Sequence, residues 1–154
     1  MYDITFDDQI FTPDISNNLE KIVAGIFCTG LFRPNPVSLD IENSICTSWD
    51  VDNSGLVYTF HIDSTAKFHN DPCFGHEGTK TVTAYDVKYT FHILANPEYS
   101  EENFINTISQ IKGAKEFFAM TKAERDTSRI EGIKVLDKQT IQITLDRPSS
   151  LFIQ

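Results

Sequence analysis

The chain has 154 residues, of which 40% are hydrophobic and 12% aromatic, and it carries a net charge of −9. This length suits one domain with a core of its own, and the apolar content argues against a disordered chain. The acidic balance argues against a nucleic-acid binder, which needs a basic face to engage phosphates, and against docking on anionic lipid.

The two ends of the sequence suggest a piece of a longer polypeptide. Met1 leads into a strand-like segment with no signal peptide, and no apolar run approaches the roughly 18–20 residues of a membrane helix. The chain stops at Leu151-Phe152-Ile153, an apolar end where natural termini are usually polar. We therefore expect a fragment with bare apolar surface at this end, and we infer nothing about compartment from the missing signal.

The first third of the chain predicts a strand, a helix and a second short strand. The strand falls at residues 4–6, and Asp14 or Ser16 can cap the helix that follows. The apolar positions of this helix share one face at a 3.6-residue period, which is typical of core packing; they are Leu19, Ile22, Val23, Ile26 and Phe27. Gly30 ends the helix, and residues 31–32 can form the brief strand.

The middle of the chain predicts two strands joined by a turn at residues 52–55. Trp49 and Val51 alternate into the turn. Tyr58, Phe60 and Ile62 alternate with polar residues beyond it, which indicates a strand with one buried face. Trp49 is the only tryptophan, and we expect it to pack in the core beside the second strand. Trp49→Ala would then cost about 3–5 kcal/mol.

The second half of the chain predicts helices followed by a hairpin. After a long loop at residues 66–81, Thr83 and Asp86 form a capping pair, and the helix they start ends at Asn96-Pro97. Its apolar side consists of Ala84, Val87, Phe91 and Leu94. A third helix is expected after Ser100, with a stripe formed by Phe104, Ile105, Ile108 and Ile111.

The remaining segments are a short helix at residues 114–120, an exposed loop or frayed helix at 121–129, and a hairpin. The hairpin joins alternating runs at 132–136 and 140–145 across a polar turn. Strands and helices do not alternate regularly. The fold class is therefore α+β, an antiparallel or mixed sheet with about three helices, in a single domain over residues 1–154.

Several sequence blocks resemble one family in the order that the family has them. VTAYDVKYTF at 82–91 resembles its Val-Thr-Ala-x-Asp-Val helix entry, AKFHNDP at 66–72 its Val-Lys-Phe-His-Asp-Gly loop, and residues 132–148 its closing hairpin. Residues 47–49 resemble its Ser-Trp motif. The chain departs from the family at residues 44–47 and in the insertion at 73–81. The family is that of the extracellular solute-binding proteins, family 5, which serve ABC importers for oligopeptides, dipeptides or nickel.

The resemblance implies a fold, a function and a set of ligand contacts. Family members have two lobes of the periplasmic-binding-protein type II class that close over a ligand, and this chain resembles a partial N-terminal lobe. In the family the loop ahead of the first long helix lines the cleft, which corresponds here to residues 9–14 with Phe11 and Thr12 at the centre. An aromatic residue near the start of the third helix corresponds to Phe104, although Phe104 also belongs to the apolar stripe and core packing is the favoured explanation for it.

The implied function is capture of oligopeptides or dipeptides outside the cytoplasmic membrane and their delivery to ABC permease subunits. The full-length protein would be periplasmic or on the cell surface and lipid-anchored, and its second lobe would complete the cleft. Without that lobe, the resemblance predicts weak or absent peptide binding and self-association of the fragment. The rival interpretation is a stand-alone protein-interaction module with the same subdomain fold. The ligand stays open among peptide, nickel and sugar.

Other chemistry has little support in the sequence. No Gly-x-Ser-x-Gly elbow, phosphate loop or HExxH motif occurs, so we expect no enzyme activity and no cofactor. One loop gathers potential metal ligands, but short irregular spacing rarely closes a metal site; these residues are His69, Asp71, Cys73, His76 and Glu77. We therefore predict no metal site. Cys28, Cys46 and Cys73 are expected to be buried thiols, although one disulfide with a free thiol is an alternative.

Overall fold

The computed structural model describes residues 29–98, 108–149 and 152–153. Three elements predicted from the sequence lie outside these residues: the strand at 4–6, the first helix, and all but the end of the third helix. The described part confirms an α+β fold with antiparallel sheets and three α-helices.

The centre of the fold is a four-stranded antiparallel sheet made of two hairpins. The strands are β3 (Cys46–Val51), β4 (Val57–Ile62), β5 (Ile133–Val135) and β6 (Thr140–Thr144), in the order β3-β4-β6-β5. Both hairpins predicted from the sequence are thus confirmed. Pairing of β4 with β6 joins them, with Phe60 opposite Ile141 and Tyr58 opposite Ile143.

The turn between β3 and β4 forms because its residues suit it. Gly55 has φ +72°, a left-handed conformation that glycine adopts without steric cost, and its N–H donates to the Asp52 carbonyl at 3.0 Å. The Asp52 carboxylate accepts from the hydroxyl of Ser54 and from the backbone N–H groups of Leu56 and Val57. These bonds lower the pKa of Asp52, with the Ser54 hydroxyl as the largest cause.

A smaller sheet precedes the main one. It consists of β1 (Phe32–Pro34) and β2 (Ile41–Asn43), which pair antiparallel. The sequence predicts the first of these strands approximately but not the second. Asn35 organises the connection, because its side-chain oxygen accepts from the backbone N–H groups of Val37 and Ser38.

Helix α1 (Ala84–Leu94) confirms the prediction from the capping pair. The Asp86 carboxylate accepts from the Thr83 N–H at 2.8 Å, and the two side chains are also hydrogen-bonded. Helices α2 (Ala114–Ala119) and α3 (Lys122–Thr127) follow, with 3-10 turns at Pro72–Glu77 and Ile108–Gln110. Helix α3 has a capping box of its own and no buried residue. The segment predicted as an exposed loop or frayed helix is therefore a short, capped surface helix.

The core lies on the face of the sheet that carries the alternating residues of β4 and β6. Tyr58, Phe60 and Ile62 are all buried, as the alternating pattern predicts. The residues that pack with them come from the helical side: Val82, Ala84, Val87, Ile108, Ile111, Ala114, Phe117 and Ile130. Helix α1 contacts β5 and β6, so the apolar core lies between the helix and these two strands.

The expectation that Trp49 packs in the core is wrong. Its side chain is 40% exposed, although its backbone lies directly opposite the buried Phe60. In the part of the chain that the structure describes, β3 is the edge strand of its sheet, and every residue after Cys46 in it is exposed. The Trp49 ring stacks on Tyr58 with centroids 6.2 Å apart, and this contact covers only part of it.

Two further expectations need correction. Cys46 is a buried free thiol as predicted, but Cys73 is exposed because it lies on the 3-10 turn of the surface loop, and Cys28 is outside the described residues. The apolar end is not bare, because Phe152 and Ile153 are half-buried against the core. The Phe152 ring lies 5.0 Å from that of Tyr58.

Candidate functional site

The three ligand contacts implied by the resemblance are not part of the described structure. Phe11 and Thr12 lie before residue 29, and Phe104 lies between residues 98 and 108. The structure therefore neither brings them together nor separates them, and they remain predictions. The described residues offer three other features: the loop at 66–81 and two grooves beside helix α1.

Backbone hydrogen bonds hold the loop at 66–81 closed. Phe68 N–H donates to the Lys80 carbonyl at 2.9 Å, and Asp71 N–H donates to the Gly78 carbonyl at 2.7 Å. The ammonium of Lys80 also reaches Asp86 at 2.6 Å, which ties the loop to the cap of α1. Hydrogen bonds between its own residues and one ion pair to α1 therefore hold this loop.

Two of the potential metal ligands of this loop, Asp71 and Cys73, form local hydrogen bonds with each other. Asp71 caps the 3-10 turn by accepting from the Cys73 N–H at 2.8 Å, which lowers the pKa of this carboxyl. The hydrogen bond to Asp71 raises the pKa of the Cys73 thiol, whereas a metal binds the thiolate. Within residues 29–98, 108–149 and 152–153, no three His, Cys, Asp or Glu side chains converge as a metal site would require.

An apolar groove of about 670 Å³ runs along one side of α1. The loop at 66–81 and the residues before β1 form its other walls. Its lining is mostly apolar, with a few polar groups at the rim, as is common in ligand pockets; the residues are Thr29, Gly30, Leu31, Ile45, Lys67, Phe68, His69, Val82, Asp86, Val87, Thr90, Phe91 and Leu94.

A second groove of about 400 Å³ lies between α1 and α3, and we call it the tyrosine groove. Aromatic side chains and cations line it, with few acids; its residues are Tyr85, Lys88, Tyr89, His92, Ile93, Asn96, Glu98, Phe117, Lys122, Arg125, Asp126, Ser128 and Arg129. Tyr85, Lys88, Tyr89 and His92 share one helix face, since they are spaced by three and four residues.

His92 forms the floor of the tyrosine groove in its neutral form. Its Nδ1 lies 2.8 Å from the Lys88 carbonyl, and its Nε2 accepts from the Ile130 N–H at 3.3 Å. Because a backbone N–H can only donate, the ring proton must be on Nδ1. Burial lowers the pKa of His92, which keeps the ring neutral. Its edge-to-face contact with Phe117, at 5.3 Å, fixes the ring between α1 and α2.

Arg125 fixes the opposite wall. Its side chain is 9% exposed, its Nη2 lies 3.4 Å from Glu98 Oε1, and its Nη1 donates to the Met120 carbonyl. By contrast, Lys88 is half-buried and Lys122 is exposed, and neither forms a salt bridge with any residue that the structure describes. The groove therefore has rigid sides and two ammonium groups without an acidic partner among those residues.

The sequence interpretation missed the tyrosine groove. The spacing of Tyr85, Tyr89 and His92 in the sequence indicates one helix face, distinct from the apolar face of the same helix. The facing wall could not be found, because the sequence of residues 121–129 predicts an exposed loop or frayed helix. In the described part of the chain, no helix is long and apolar enough to cross a membrane.

Comparison with known proteins gives consistent results. The sequence model of the bacterial extracellular solute-binding proteins, family 5 (middle region), matches residues 40–154. The chain is 30% identical over 116 residues to heme-binding protein A of Haemophilus influenzae, and 29% identical over 123 residues to di/tripeptide-binding protein 4 of Pseudomonas aeruginosa. These alignments cover 75% and 80% of the chain but only 19% and 21% of the relatives, so the chain spans about a fifth of their length.

Solved structures show the same relationship. A periplasmic oligopeptide-binding protein of Borrelia burgdorferi superposes with a TM-score of 0.69 at 26% identity, over 92% of this chain and 27% of that one. An oligopeptide-binding protein of Haemophilus influenzae, solved with the peptide RPPGFSPFR, shares the fold with a TM-score of 0.71 at 17% identity, over 93% of this chain and 26% of that one. Because the family model matches most of this chain, the chain belongs to family 5 of the bacterial extracellular solute-binding proteins.

Proposed function

We propose that this chain is part of the substrate-binding component of an ABC-type importer that captures oligopeptides or dipeptides. The observation that carries the proposal is the family match over residues 40–154. Di/tripeptide-binding protein 4 and the oligopeptide-binding protein of Borrelia burgdorferi support peptides as the ligand class. The stand-alone interaction module has no support among these relatives, which are solute-binding proteins.

The proposed mechanism is capture between two lobes. The chain would form part of the N-terminal lobe, and the cleft would close when a second lobe of the same polypeptide folds over the ligand. Phe11, Thr12 and Phe104 would line this cleft, where aromatic and backbone groups recognise peptides of varied sequence. The coverage of only about a fifth of the relatives supports a larger protein around this chain.

The family also places its members outside the cytoplasm. We propose a periplasmic or cell-surface location, with a lipid anchor on the full-length protein and permease subunits as membrane partners. The component would bind and release its ligand without chemical change, as solute-binding proteins do.

The test is calorimetry on the polypeptide that the native reading frame encodes around these 154 residues. A pool of blocked and free di-, tri- and longer peptides should bind with a dissociation constant of about a micromolar or lower. Phe104→Ala should weaken binding about tenfold or more, as loss of an aromatic contact in a desolvated cleft does. Phe74→Ala, which removes a phenylalanine ring from the loop at 66–81, is the matched control and should leave the affinity unchanged.

Two results would contradict the proposal. A shift of the haemin absorption band on titration, with no heat from any peptide, would assign the ligand class that the name of the Haemophilus influenzae relative gives. A stop codon near residue 154, together with tight peptide binding by the 154-residue chain alone, would favour the stand-alone module.

A further inference from the structure

We propose that the tyrosine groove is a docking site for a short acidic peptide segment of a partner protein. The groove is formed by described residues, whereas the proposed cleft contacts Phe11, Thr12 and Phe104 lie outside the described part of the chain. It goes beyond ligand capture, because it assigns a second binding surface to this chain. Charge, exposed aromatic surface and shape support the proposal independently.

The described lining of the groove is positively charged, whereas the chain as a whole is negatively charged. Lys88, Lys122 and Arg129 form no salt bridge within the described residues, whereas Arg125 and Glu98 neutralise each other. Among the described residues of the lining, Asp126 is the one other carboxylate. A cationic groove on a chain with a net charge of −9 attracts an acidic group locally, while the rest of the surface repels it.

The groove also exposes aromatic surface. Tyr85 and Tyr89 are 60% and 68% exposed and lie one helical turn apart. Neither hydroxyl has a hydrogen-bond partner among the described residues. Tyrosine and arginine are enriched in protein interfaces, because they offer rigid apolar area with a polar end. Two exposed tyrosines beside unpaired cations therefore suit a ligand with both apolar and acidic groups.

The shape of the groove selects an extended segment. The helical part of this wall runs from Tyr85 to Ile93 and is about 12 Å long at about 1.5 Å per residue, and Asn96 and Glu98 extend the wall past the end of α1. An extended chain rises about 3.3 Å per residue, so this wall accommodates roughly five residues. His92 and Arg125 hold the walls in place before binding, which lowers the entropic cost of docking.

The length and charge favour a peptide over a nucleic acid. A polyanion that extends past the groove would meet the acidic remainder of the surface, and its phosphates need more cations than the groove offers. A five-residue acidic segment ends before it reaches that surface.

The test uses the 154-residue chain and fluorescein-labelled pentapeptides with blocked ends at low ionic strength. The probes are Glu-Glu-Phe-Glu-Glu, Lys-Lys-Phe-Lys-Lys and Ser-Ser-Phe-Ser-Ser, and fluorescence anisotropy measures binding. We expect the glutamate peptide to bind best and added salt to weaken it. Simple attraction to a chain of charge −9 predicts the opposite order, with the lysine peptide first.

Two double variants locate the site. Lys88→Glu with Lys122→Glu should weaken binding of the glutamate peptide about tenfold or more. Lys134→Glu with Lys138→Glu changes the net charge equally on exposed positions of the second hairpin and should change affinity by less than about twofold. Tyr85→Ser with Tyr89→Ser removes the aromatic contacts without a change of charge and should also weaken binding. Unchanged circular dichroism spectra show that each variant folds.

Three outcomes would overturn the proposal. The first is a preference for the lysine peptide, or no binding of the glutamate peptide at millimolar concentration. The second is an equal loss in both lysine double variants, which would indicate bulk charge. The third is loss of binding in Phe104→Ala with none in the groove variants, which would assign the peptide to the cleft and leave the proposed function intact.

Discussion

The neighbouring strands β3 and β4 differ in burial despite similar alternating sequences. In β4, Tyr58, Phe60 and Ile62 are at most 6% exposed, whereas Trp49 and Val51 in β3 are 40% and 43% exposed. The strands are paired directly, with Trp49 opposite Phe60. Among the described strands, β4 has a neighbour on each side, while β3 lies at the edge of the sheet.

This difference shows that alternation predicts a strand but not how much of it is covered. A pleated strand presents every second residue to one face, wherever it lies in the sheet. Burial then depends on whether a second layer reaches that face. Among the described elements, α1 contacts β5 and β6, which lie on the side of the sheet away from β3. The following predictions test this contrast, from the largest expected effect to the smallest.

Phe60→Ala should destabilise the protein most. Phe60 is 2% exposed and packs among β6 and the helical layer, so its loss leaves a cavity at the centre of the core. The expected loss is about 3–5 kcal/mol in the free energy of unfolding. Urea denaturation followed by circular dichroism measures this loss. A loss below about 1.5 kcal/mol would mean that neighbouring side chains move in to fill the cavity.

Trp49→Ala should cost less than Phe60→Ala, although tryptophan is the larger residue. Its ring is partly exposed already, and the substitution mainly removes its stacking on Tyr58. We expect about 1–2 kcal/mol, since an aromatic pair contributes about 0.5–1.5 kcal/mol beyond the area it buries. A cost equal to that of Phe60→Ala in the same denaturation would remove the distinction between edge and centre.

Tyr58→Phe tests a polar anchor of the central strand. The Tyr58 hydroxyl donates to the Ser149 carbonyl at 2.9 Å, which ties β4 to the segment after β6. Loss of this bond should cost about 0.5–1.5 kcal/mol, because the substitution removes the donor from the Ser149 carbonyl. Tyr85→Phe is the control, since its exposed hydroxyl has no described partner, and a similar loss there would rule out the hydrogen bond as the cause.

Asp52→Asn tests the turn between the two strands through its pH dependence. Hydrogen bonds from Ser54 and from backbone N–H groups lower the pKa of Asp52 in the folded state. The unfolded chain therefore binds this proton more readily, and the stabilisation is present above the unfolded pKa and is lost as pH falls through the folded pKa. The stability difference between wild type and Asp52→Asn should shrink on acidification.

Thermal unfolding of both proteins at several pH values between neutral and acid measures this difference. Ser54→Ala removes the largest cause of the lowered pKa and should reproduce part of the effect. A difference that is constant with pH would mean that the carboxylate contributes nothing beyond the turn geometry.

Local sequence signals predict much of the fold. The Thr83–Asp86 capping pair marks the start of α1, and both hairpins follow from alternation interrupted by turn residues. These features depend on neighbours in the chain, so a single sequence contains the information. The family is evident for a similar reason, because its motifs recur in order across residues 47–148.

The errors concern contacts between distant segments. Burial of Trp49 depends on how far the helical layer extends, and exposure of Cys73 depends on how the loop at 66–81 folds over itself. The tyrosine groove needs α3 beside α1, which no local pattern indicates. Phe11, Thr12 and Phe104 remain predictions, as does the division into lobes, because the described residues do not include them.

The order of the strands has a consequence for how the chain reaches its native state. Each hairpin joins strands that follow one another, so β3–β4 and β5–β6 can form by closing short loops. The β4–β6 pairing instead joins residues 57–61 to residues 140–144, with α1, α2 and α3 in between. Long loops make this step entropically slow, so we expect the docking of two preformed hairpins to limit the folding rate. Until it occurs, the apolar faces of both hairpins lie open to solvent.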